Sequence, residues 1–321
     1  MRIVAQYAAT NPLPTAFCHG PTLLPQPGGG VLGAWFGGTE EGRPDSGIYI
    51  ARLAAGARAW ASPQLVVPPD GRPCGNPVLF EGAPGELWLV YFRVRGEWCT
   101  DGRPCARLSP DGGRTWGPEM VLLDRAGVLT KNKPLRVGNR LLLPVYDEVL
   151  WQAGCAWLDL SRRGAHWRFD ALAIGVSTGV PMIQGTVIEV ARNHLLMLMR
   201  TKAGRIWRAE SFDGGESWQR AQATSLRNPN AGIDMVKLRN GRVWLCYNDT
   251  DRGRDPMQWD LRYPLCVAES ADAGKSWRNI LILEPGPGEH SYPAVVLNGE
   301  GRVHIAYTRL RREIRHVVIE P

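Results

Sequence analysis

The sequence predicts an all-β fold, a six-bladed β-propeller, and three observations support this interpretation. A short phrase occurs three times, tryptophans recur at a regular long spacing, and strand-like runs fill the intervals. The copies are Ser109-Pro-Asp111-Gly-Gly113-Arg-Thr115-Trp116, Ser211-Phe-Asp213-Gly-Gly215-Glu-Ser217-Trp218 and Ser270-Ala-Asp272-Ala-Gly274-Lys-Ser276-Trp277. They share the pattern Ser-x-Asp-x-Gly-x-Thr/Ser-Trp, and self-similarity at a long period indicates a repeat architecture.

Each copy of the phrase is typical of a tight turn between two strands. The Asp carboxylate can accept hydrogen bonds from nearby backbone N–H groups, and Gly adopts a positive φ without steric cost. The Ser and Thr hydroxyls can satisfy further backbone groups, while the large apolar Trp needs a buried slot. We therefore expect a turn that is braced by its own side chains and ends in a core anchor.

The tryptophan spacing sets the number of units. The closing residues are Trp60, Trp116, Trp167, Trp218 and Trp277, which are 51 to 59 residues apart. Leu53–Trp60 and Leu160–Trp167 are degenerate copies, of which the second keeps Gly164 and Trp167. Each interval suits four short strands with their loops, which is one propeller blade. The chain length then corresponds to about six blades.

Strand signals within the units agree with this count. Short runs that are rich in β-branched or aromatic residues are separated by Gly, Pro, Asn or Asp. They are Val31–Phe36, Gly47–Leu53, Glu86–Phe92, Arg140–Val145, His194–Met199, Arg242–Tyr247 and Arg302–Tyr307. We expect the first strand, Arg2–Tyr7, to close the last blade beside His304–Thr308 or His316–Ile319, which removes an exposed sheet edge. Residues 1–321 are expected to form one domain, without a long amphipathic helix.

Composition narrows the class of protein. The chain is 44% hydrophobic and 21% charged, which is ordinary for a globular protein with a large core. The net charge of +7 comes from Lys and Arg that are spread along the chain, and the densest basic group is Arg309-Leu-Arg311-Arg312. We interpret this charge as solvated surface with a bias toward anionic substrates, so no nucleic-acid partner is expected.

Cysteine usage and the start of the chain limit the remaining possibilities. Seven cysteines lack CxxC or Cys/His ligand spacing, so neither a disulfide framework nor a metal site is expected, and no cofactor is predicted. The N-terminal residues lack the apolar core of a signal peptide. No apolar stretch is long enough to span a membrane. The expected location is the cytoplasm, with no membrane partner.

Polar segments recur at a similar phase of the repeat, that is, at a similar position within each unit. This shared phase predicts that the segments meet on one face of the propeller. Ligands of propellers bind on that face, at the mouth of the central channel. The segments are Phe17-Cys-His19, Thr39–Asp45, Lys131-Asn132-Lys133, Tyr146-Asp147-Glu148, Ile183-Gln184, Met199-Arg200, Arg227–Asn230, Arg262 and His290-Ser-Tyr292.

The repeated phrase resembles the Asp-box, or BNR repeat, of the sialidase superfamily. In that family the box lies on a hairpin turn at the outer rim of a blade, so the resemblance implies a structural role. Family members bind the substrate carboxylate with three arginines, because bidentate charged hydrogen bonds fix a planar anion. They use a Tyr nucleophile paired with a Glu, and an Asp as general acid/base.

The resemblance implies roles for four residues by their order in the chain. Arg200 and Arg262 resemble the second and third arginines, because each precedes an Asp-box. Tyr292 resembles the nucleophile, and Asp45 resembles the acid/base. For each of them the alternative is structural: ion pairing on neighbouring blades for the arginines, packing for Tyr292 and turn capping for Asp45.

Two positions depart from the family pattern. The first arginine belongs to a Phe-Arg-Ile-Pro motif, whereas this chain has Phe17-Cys-His19-Gly-Pro, with His19 as the nearest equivalent. The Glu partner of the tyrosine corresponds to Gln184, and an amide cannot accept the phenolic proton. Because an unassisted tyrosine has a pKa of about 10, standard sialidase chemistry is in question, although the scaffold is not.

Further candidates for substrate contact lie at the same phase. They are Lys131, Asn132, Lys133, Glu148, Asn228, Asn230 and His290. Glu148 is also an alternative acid, as are Glu40 and Glu41 by their proximity to Asp45. A solvated loop is the competing interpretation for the three residues that begin at Lys131.

Three functions are consistent with these residues. The first is an exo-acting glycoside hydrolase on a terminal acidic sugar, with an anionic carbohydrate as its partner. The second is a polysaccharide lyase acting on a uronate by β-elimination, in which His19, His290, Tyr292 and Arg262 would supply acid, base and charge neutralisation. The third is a glycan-binding propeller without catalysis, because fold does not imply function.

Overall fold

A computed structural model describes residues 1–10, 14–160, 167–174, 178–251 and 261–321. Within these ranges, twenty-five strands form six antiparallel sheets, which confirms the all-β, six-bladed propeller. In the described parts of the chain, no helix has the length and apolar character needed to cross a membrane.

The sheets follow one another along the chain, and we number them as blades. The first strand is β1 (Arg2–Ala8). Blade 1 contains β2 (Phe17–Pro25), β3 (Val31–Gly38), β4 (Gly47–Leu53) and β5 (Gln64–Val67). Blade 2 contains β6 (Cys74–Glu81), β7 (Leu87–Val94), β8 (Gly102–Ser109) and β9 (Met120–Val121). Blade 3 contains β10 (Val128–Thr130), β11 (Leu135–Val137), β12 (Arg140–Asp147), β13 (Gln152–Asp159) and β14 (Trp167–Ile174).

The second half of the chain repeats the arrangement. Blade 4 contains β15 (Met182–Ala191), β16 (His194–Thr201), β17 (Arg205–Ser211) and β18 (Gln222–Arg227). Blade 5 contains β19 (Asp234–Lys237), β20 (Val243–Asn248), β21 (Leu265–Ser270) and β22 (Arg278–Glu284). Blade 6 contains β23 (His290–Leu297), β24 (Val303–Arg309), β25 (Glu313–Glu320) and the first strand, β1.

The first and last strands close blade 6, as the sequence predicts. β1 pairs antiparallel with β25, from Arg2 opposite Glu320 to Ala8 opposite Arg315, so the second of the two predicted partners is the right one. The inner strand β2 contacts β6 on one side and β23 on the other. The ring is therefore continuous from blade 6 to blade 1.

The apolar core is divided among the junctions between blades. Six clusters of buried side chains each combine residues of two neighbouring blades. Trp60, one of the closing tryptophans, is buried in the cluster between blades 6 and 1. Trp116, Trp218 and Trp277 pack against the other clusters. Apolar burial stabilises the ring at every junction.

The three Asp-boxes have the same internal hydrogen bonds. In the second copy, Ser211 Oγ donates to Asp213 Oδ1 at 2.8 Å and accepts from Gly215 N at 2.7 Å, while Ser217 N donates to Asp213 Oδ1 at 2.9 Å. These bonds, led by those from Ser217, lower the pKa of the Asp213 carboxyl to about 2. The degenerate copy Leu53–Trp60 occupies the equivalent turn between β4 and β5, and residues 161–166 of the copy Leu160–Trp167, Gly164 among them, lie outside the described residues.

The direction of the chain places the Asp-boxes at one end of the blades. The first, inner strand of each blade begins at the other end. Each box follows the third strand of its blade, at Ser109, Ser211 and Ser270. Because the strands are antiparallel, the third strand ends where the first strand also ends. The face where the first strands begin is therefore opposite the boxes, and we call it the site face.

The inner strands of blades 1, 2, 4 and 6 share an irregularity near the site face. The register shifts between His19 and Thr22 and between Ile183 and Thr186, and blades 2 and 6 shift at the same place. One residue at each shift has a positive φ: Gly20, Asn76, Gln184 or Tyr292. A bulge re-aims a side chain, and residues at three of these positions join the contacts described next.

Candidate functional site

Tyr292 lies at the centre of a cluster of polar side chains on the site face. Its hydroxyl accepts a hydrogen bond from Arg200 Nη1 at 3.2 Å and a longer one from Gln184 Nε2 at 3.5 Å. Its ring lies 4.2 Å from the His19 ring, centroid to centroid, and Lys131 Nζ lies 5.9 Å from its centroid. Four residues predicted from separate parts of the sequence are therefore in contact with Tyr292.

Tyr146, at the end of β12, connects this cluster to blade 2. Its hydroxyl accepts hydrogen bonds from Gln184 Nε2 at 3.1 Å and from Asn76 Nδ2 at 3.2 Å. The side chain is buried, and burial raises the pKa of the phenol. The sequence marks the segment that contains Tyr146 but selects only Glu148 from it, and nothing selects Asn76, whose Gly-Asn-Pro context resembles an ordinary turn.

His19 is buried next to Tyr292 and is held in the neutral state. Neither of its ring nitrogens has a hydrogen-bond partner among the described residues. Burial and then the neighbouring cations hold the pKa of this imidazole well below its ordinary value, and the cations are Arg311, Arg262, Lys131 and Arg200. The arrangement concentrates positive charge around an uncharged ring, which suits an anionic ligand.

Glu289 joins two of these arginines. Arg262 Nη1 lies 3.0 Å from Glu289 Oε1, and Arg311 forms ion pairs with Glu289 and with Glu41. Ser291 Oγ also donates to Glu289 Oε1, at 2.8 Å. The Glu289 carboxylate has no exposed area. Such a buried carboxylate fixes the positions of both guanidinium groups.

Arg311 is a functional candidate that the sequence does not single out. It lies in the turn between β24 and β25 with a φ of 53°, and its carbonyl accepts a hydrogen bond from Cys18 N at 2.9 Å. Its guanidinium lies 5.7 Å from the Phe17 ring centroid. Arg311 thus brings a cation to the place where the chain has His19 instead of an arginine.

The three side chains from Lys131 to Lys133 have different bonding partners. Lys131 Nζ donates to Asn132 Oδ1 at 2.8 Å and to Pro293 O at 2.6 Å, and burial lowers its pKa to about 7. Asn132 Nδ2 donates to Gly185 O at 2.9 Å. Lys133 instead pairs with Asp234 at 2.8 Å. These contacts tie the inner strands together, and Lys131 is the one that faces Tyr292.

Asn228 and Asn230 are buried in the turn before β19, and His290 is buried at the start of β23. Asn228 Oδ1 accepts from Ala231 N at 2.9 Å and so caps the turn before β19. Asn230 is buried with a φ of 58°. His290 N donates to Arg262 O at 3.3 Å, and burial lowers the pKa of the His290 imidazole. Contact with a substrate stays a prediction for all three.

Asp45 and Glu148, the two predicted acids, have different surroundings. Asp45 is exposed and accepts hydrogen bonds from Thr39 N at 3.0 Å and Thr39 Oγ1 at 3.1 Å, so its carboxylate braces a turn. Glu148 is half-buried, and the charge of Arg200 acts on it. The structure thus associates Glu148, rather than Asp45, with the cluster around Tyr292, and the roles of both residues stay predictions.

Two cavities of about 600 Å³ lie away from this cluster. One is beside Arg242 and Arg278, and the other is beside Tyr7 and His304. Neither is lined by Tyr292, His19 or Arg200. Because a functional site is recognised by converging polar groups as well as by volume, the cluster on the site face is the stronger candidate.

Solved structures of other proteins share the propeller fold of this chain. A protein of unknown function from Dyadobacter fermentans is 16% identical with a TM-score of 0.76, and the match covers 99% of this chain and 98% of that one. The intramolecular trans-sialidase of Ruminococcus gnavus is 13% identical with a TM-score of 0.73, at 98% coverage of both chains. The NanB sialidase of Streptococcus pneumoniae is 12% identical with a TM-score of 0.75, covering 100% of this chain and 70% of that one.

Sequence comparison adds the family. No curated protein matches the chain significantly. The family model described as a BNR repeat-like domain matches residues 29–305, which is most of the propeller. The three Asp-boxes lie inside that range and have the internal hydrogen bonds expected of them. The chain therefore belongs to the BNR repeat-like domain family.

Proposed function

We propose that the chain is an exo-acting glycoside hydrolase that acts on a terminal acidic sugar of a glycan. The observation that carries this proposal is the position of Tyr292, whose hydroxyl lies 3.2 Å from Arg200 Nη1 amid a group of buried cations. The sialidase and trans-sialidase named among the structural neighbours support a glycan as the substrate class.

The cations provide a reason for an acidic sugar. Arg200, Arg262 and Arg311 all act on His19 electrostatically, so their charges converge on the space beside Tyr292. A substrate carboxylate would gain charge-assisted hydrogen bonds from these guanidinium groups, of which Glu289 already holds Arg262 and Arg311 in place. Preorganised donors of this kind stabilise charge in a transition state without reorganising.

Tyr292 is suited to act at the anomeric carbon. Arg200 and Gln184 both donate to its oxygen, so negative charge that develops there is stabilised. Among the described residues, no carboxylate forms a hydrogen bond to this hydroxyl. Removal of the phenolic proton therefore falls to a neutral group or to water, which distinguishes this site from one with a Tyr–Glu pair.

The test is hydrolysis of aryl sialosides and aryl uronides by the wild type and by Tyr292→Phe. We expect turnover of at least one class, and a loss of more than about 100-fold in kcat/KM for the variant, as for removal of a reacting group. Tyr49→Phe, in β4, is the matched control and should retain activity. Glycan binding without turnover of either substrate class would contradict the proposal and favour a non-catalytic propeller.

Eliminative cleavage of a uronate is a second candidate, favoured by one observation. The neutral His19 ring, which has no hydrogen-bond partner among the described residues, lies 4.2 Å from the Tyr292 ring. A neutral imidazole can accept a proton and a phenol can donate one, and β-elimination needs both groups near a neutralised carboxylate. Ultraviolet absorbance of an unsaturated product would identify this reaction, since hydrolysis cannot generate it.

A further inference from the structure

Glu148 is held in a firmly braced turn at the end of β12. Its backbone N–H donates to Gly127 O at 2.8 Å. Asp147 Oδ1 accepts from Val149 N at 2.9 Å and from Leu150 N at 2.8 Å. The turn thus fixes the direction in which Glu148 leaves the strand, two residues after Tyr146.

The surroundings of Glu148 contain charges of both signs, but no ion pair. Among the described residues, no Lys or Arg pairs with its carboxylate. The charged groups that act on it are Arg200 and Lys202 from blade 4, Asp147 from its own strand and Glu41 from blade 1. Burial is the largest influence and raises the pKa of the carboxyl above its ordinary value. Burial, and after it the charge of Glu148, raises the pKa of the Cys99 thiol and of the Tyr146 phenol.

Glu41, which faces the same region, has the opposite environment. Its carboxylate forms an ion pair with Arg311, whereas the Glu148 carboxylate has no such partner in the described part of the chain. Two carboxyl groups in different environments can divide the roles of acid and charged group between them. Asp45 is exposed, and its carboxylate accepts hydrogen bonds from Thr39 N and Thr39 Oγ1 within a turn.

The groups next to Glu148 suit the leaving-group side of a glycoside. Val149 and Leu150 follow it directly and are 58% and 54% exposed. The Trp151 ring comes next, with Lys202 Nζ 3.7 Å from its centroid. Glu148 is therefore two residues from Tyr146, which bonds to Gln184 of the Tyr292 cluster, and directly precedes two exposed apolar side chains.

We propose that Glu148 is the proton donor of the site, in place of Asp45. This inference rests on the proposed glycosidase function. As the glycosidic C–O bond breaks, its electrons remain on the leaving oxygen, which takes the Glu148 carboxyl proton, while the Tyr292 oxygen bonds to the anomeric carbon and its own proton passes to water. A second water then forms the anomeric C–OH bond and gives a proton to the Glu148 carboxylate, and the Tyr292 oxygen leaves the sugar and recovers a proton from water. No oxidant, metal or additional reactant is required.

The first test compares leaving groups. A proton donor matters most when the leaving oxygen is basic, so Glu148→Gln should lose about 100-fold or more in kcat/KM on an alkyl glycoside. On a dinitrophenyl glycoside of the same sugar, which needs no proton, the loss should be less than about tenfold. Asp45→Asn, the competing assignment, should show no such dependence on the leaving group. Equal losses on both substrates for Glu148→Gln, or the leaving-group pattern in Asp45→Asn, would overturn the proposal.

The second test needs no substrate. In protein labelled with ¹³C at glutamate carboxyl groups, the signal absent from Glu148→Gln identifies Glu148, and we expect it to titrate above the ordinary glutamate value of about 4.3. Titration at or below that value overturns the assignment, whether or not a glycoside is cleaved. Absence of turnover by the wild type would overturn both proposals, whereas an active wild type with an ordinary Glu148 titration would overturn this one alone.

Discussion

Arg311 shows how strongly a single side chain can set the charge around the site. It is the first of the cations that lower the pKa of His19, and it reaches this position from the turn between β24 and β25. Arg311→Met should therefore raise the pKa of the His19 imidazole, which can be followed by NMR titration of the ring. The neighbouring Arg312 is exposed, and Arg312→Met is the matched control. If both variants leave His19 unchanged, the electrostatic role given to Arg311 is wrong.

The sequence predicts some of the site residues and misses others for a physical reason. Tyr292, Gln184 and Arg200 follow a shared phase along the repeat, and the structure brings them into contact. Arg311 also lies at a repeated position, the turn between the second and third strands of its blade, but there it folds back over Phe17 of the next blade. Only the closure of blade 6 onto blade 1 reveals that contact, and a linear pattern contains no record of it.

The Asp-box is the element whose internal design is most directly testable. Ser211 Oγ is the partner of the buried Gly215 N–H, at 2.7 Å, and it also donates to Asp213. Ser211→Ala should lower the free energy of unfolding by about 1–3 kcal/mol, the cost of leaving a buried donor unpaired. Ser225→Ala, an exposed position in the same blade, should change it by less than about 0.5 kcal/mol.

Chemical denaturation of the two serine variants provides the measurement. Equal midpoints for both would contradict the role assigned to the box hydrogen bonds. Activity offers a separate check, because the boxes lie at the end of the blades opposite Tyr292. Ser211→Ala should leave kcat/KM unchanged wherever the variant is folded, and a selective loss of activity would contradict the assignment of opposite faces.

Strand prediction succeeds or fails according to the role of each strand in its blade. Most of the predicted runs match second strands, such as β16 and β24, because these are buried on both sides and appear as continuous apolar stretches. Gly47–Leu53 coincides with β4. The inner strands β2 and β23 were not predicted, because their bulges contain Gly20-Pro and Tyr292-Pro, which resemble turns. The irregularity that hides these strands in the sequence is the feature that forms the site.

At the scale of the whole molecule, closure of the ring depends on a buried histidine pair. His304 Nδ1 and His316 Nε2 lie 3.0 Å apart on β24 and β25. Tyr7 of β1 stacks on His316 at 5.4 Å between centroids, and Trp60 of blade 1 meets it edge-on at 5.4 Å. The first strand, the last blade and the first blade therefore all meet at this pair. The sequence predicts the closing strand, because pairing it with the last blade removes an exposed sheet edge. The sequence does not predict that two histidines lie beneath that strand.

The burial of these histidines should make the ring sensitive to acid. Burial lowers the pKa of His304 to about 4 and, with the charge of His304, that of His316 to about 3, whereas an unfolded chain has a histidine pKa of about 6.5. Below pH 6.5 the unfolded state binds more protons, so the free energy of unfolding falls as the pH drops. The loss can reach about 1.4 kcal/mol per pH unit for each histidine and ends below the folded pKa values.

Urea unfolding between pH 7 and pH 4 can measure this dependence. The double variant His304→Gln with His316→Gln cannot take up these protons, so its stability should fall less steeply with decreasing pH than that of the wild type. Tyr7→Phe keeps both imidazoles and the stacked ring, and it should retain the wild-type slope. An unchanged slope in the double variant would show that the junction of blades 6 and 1 is not the acid-sensitive part of the ring. A shallower slope would locate the acid sensitivity at the contact that joins the two ends of the propeller.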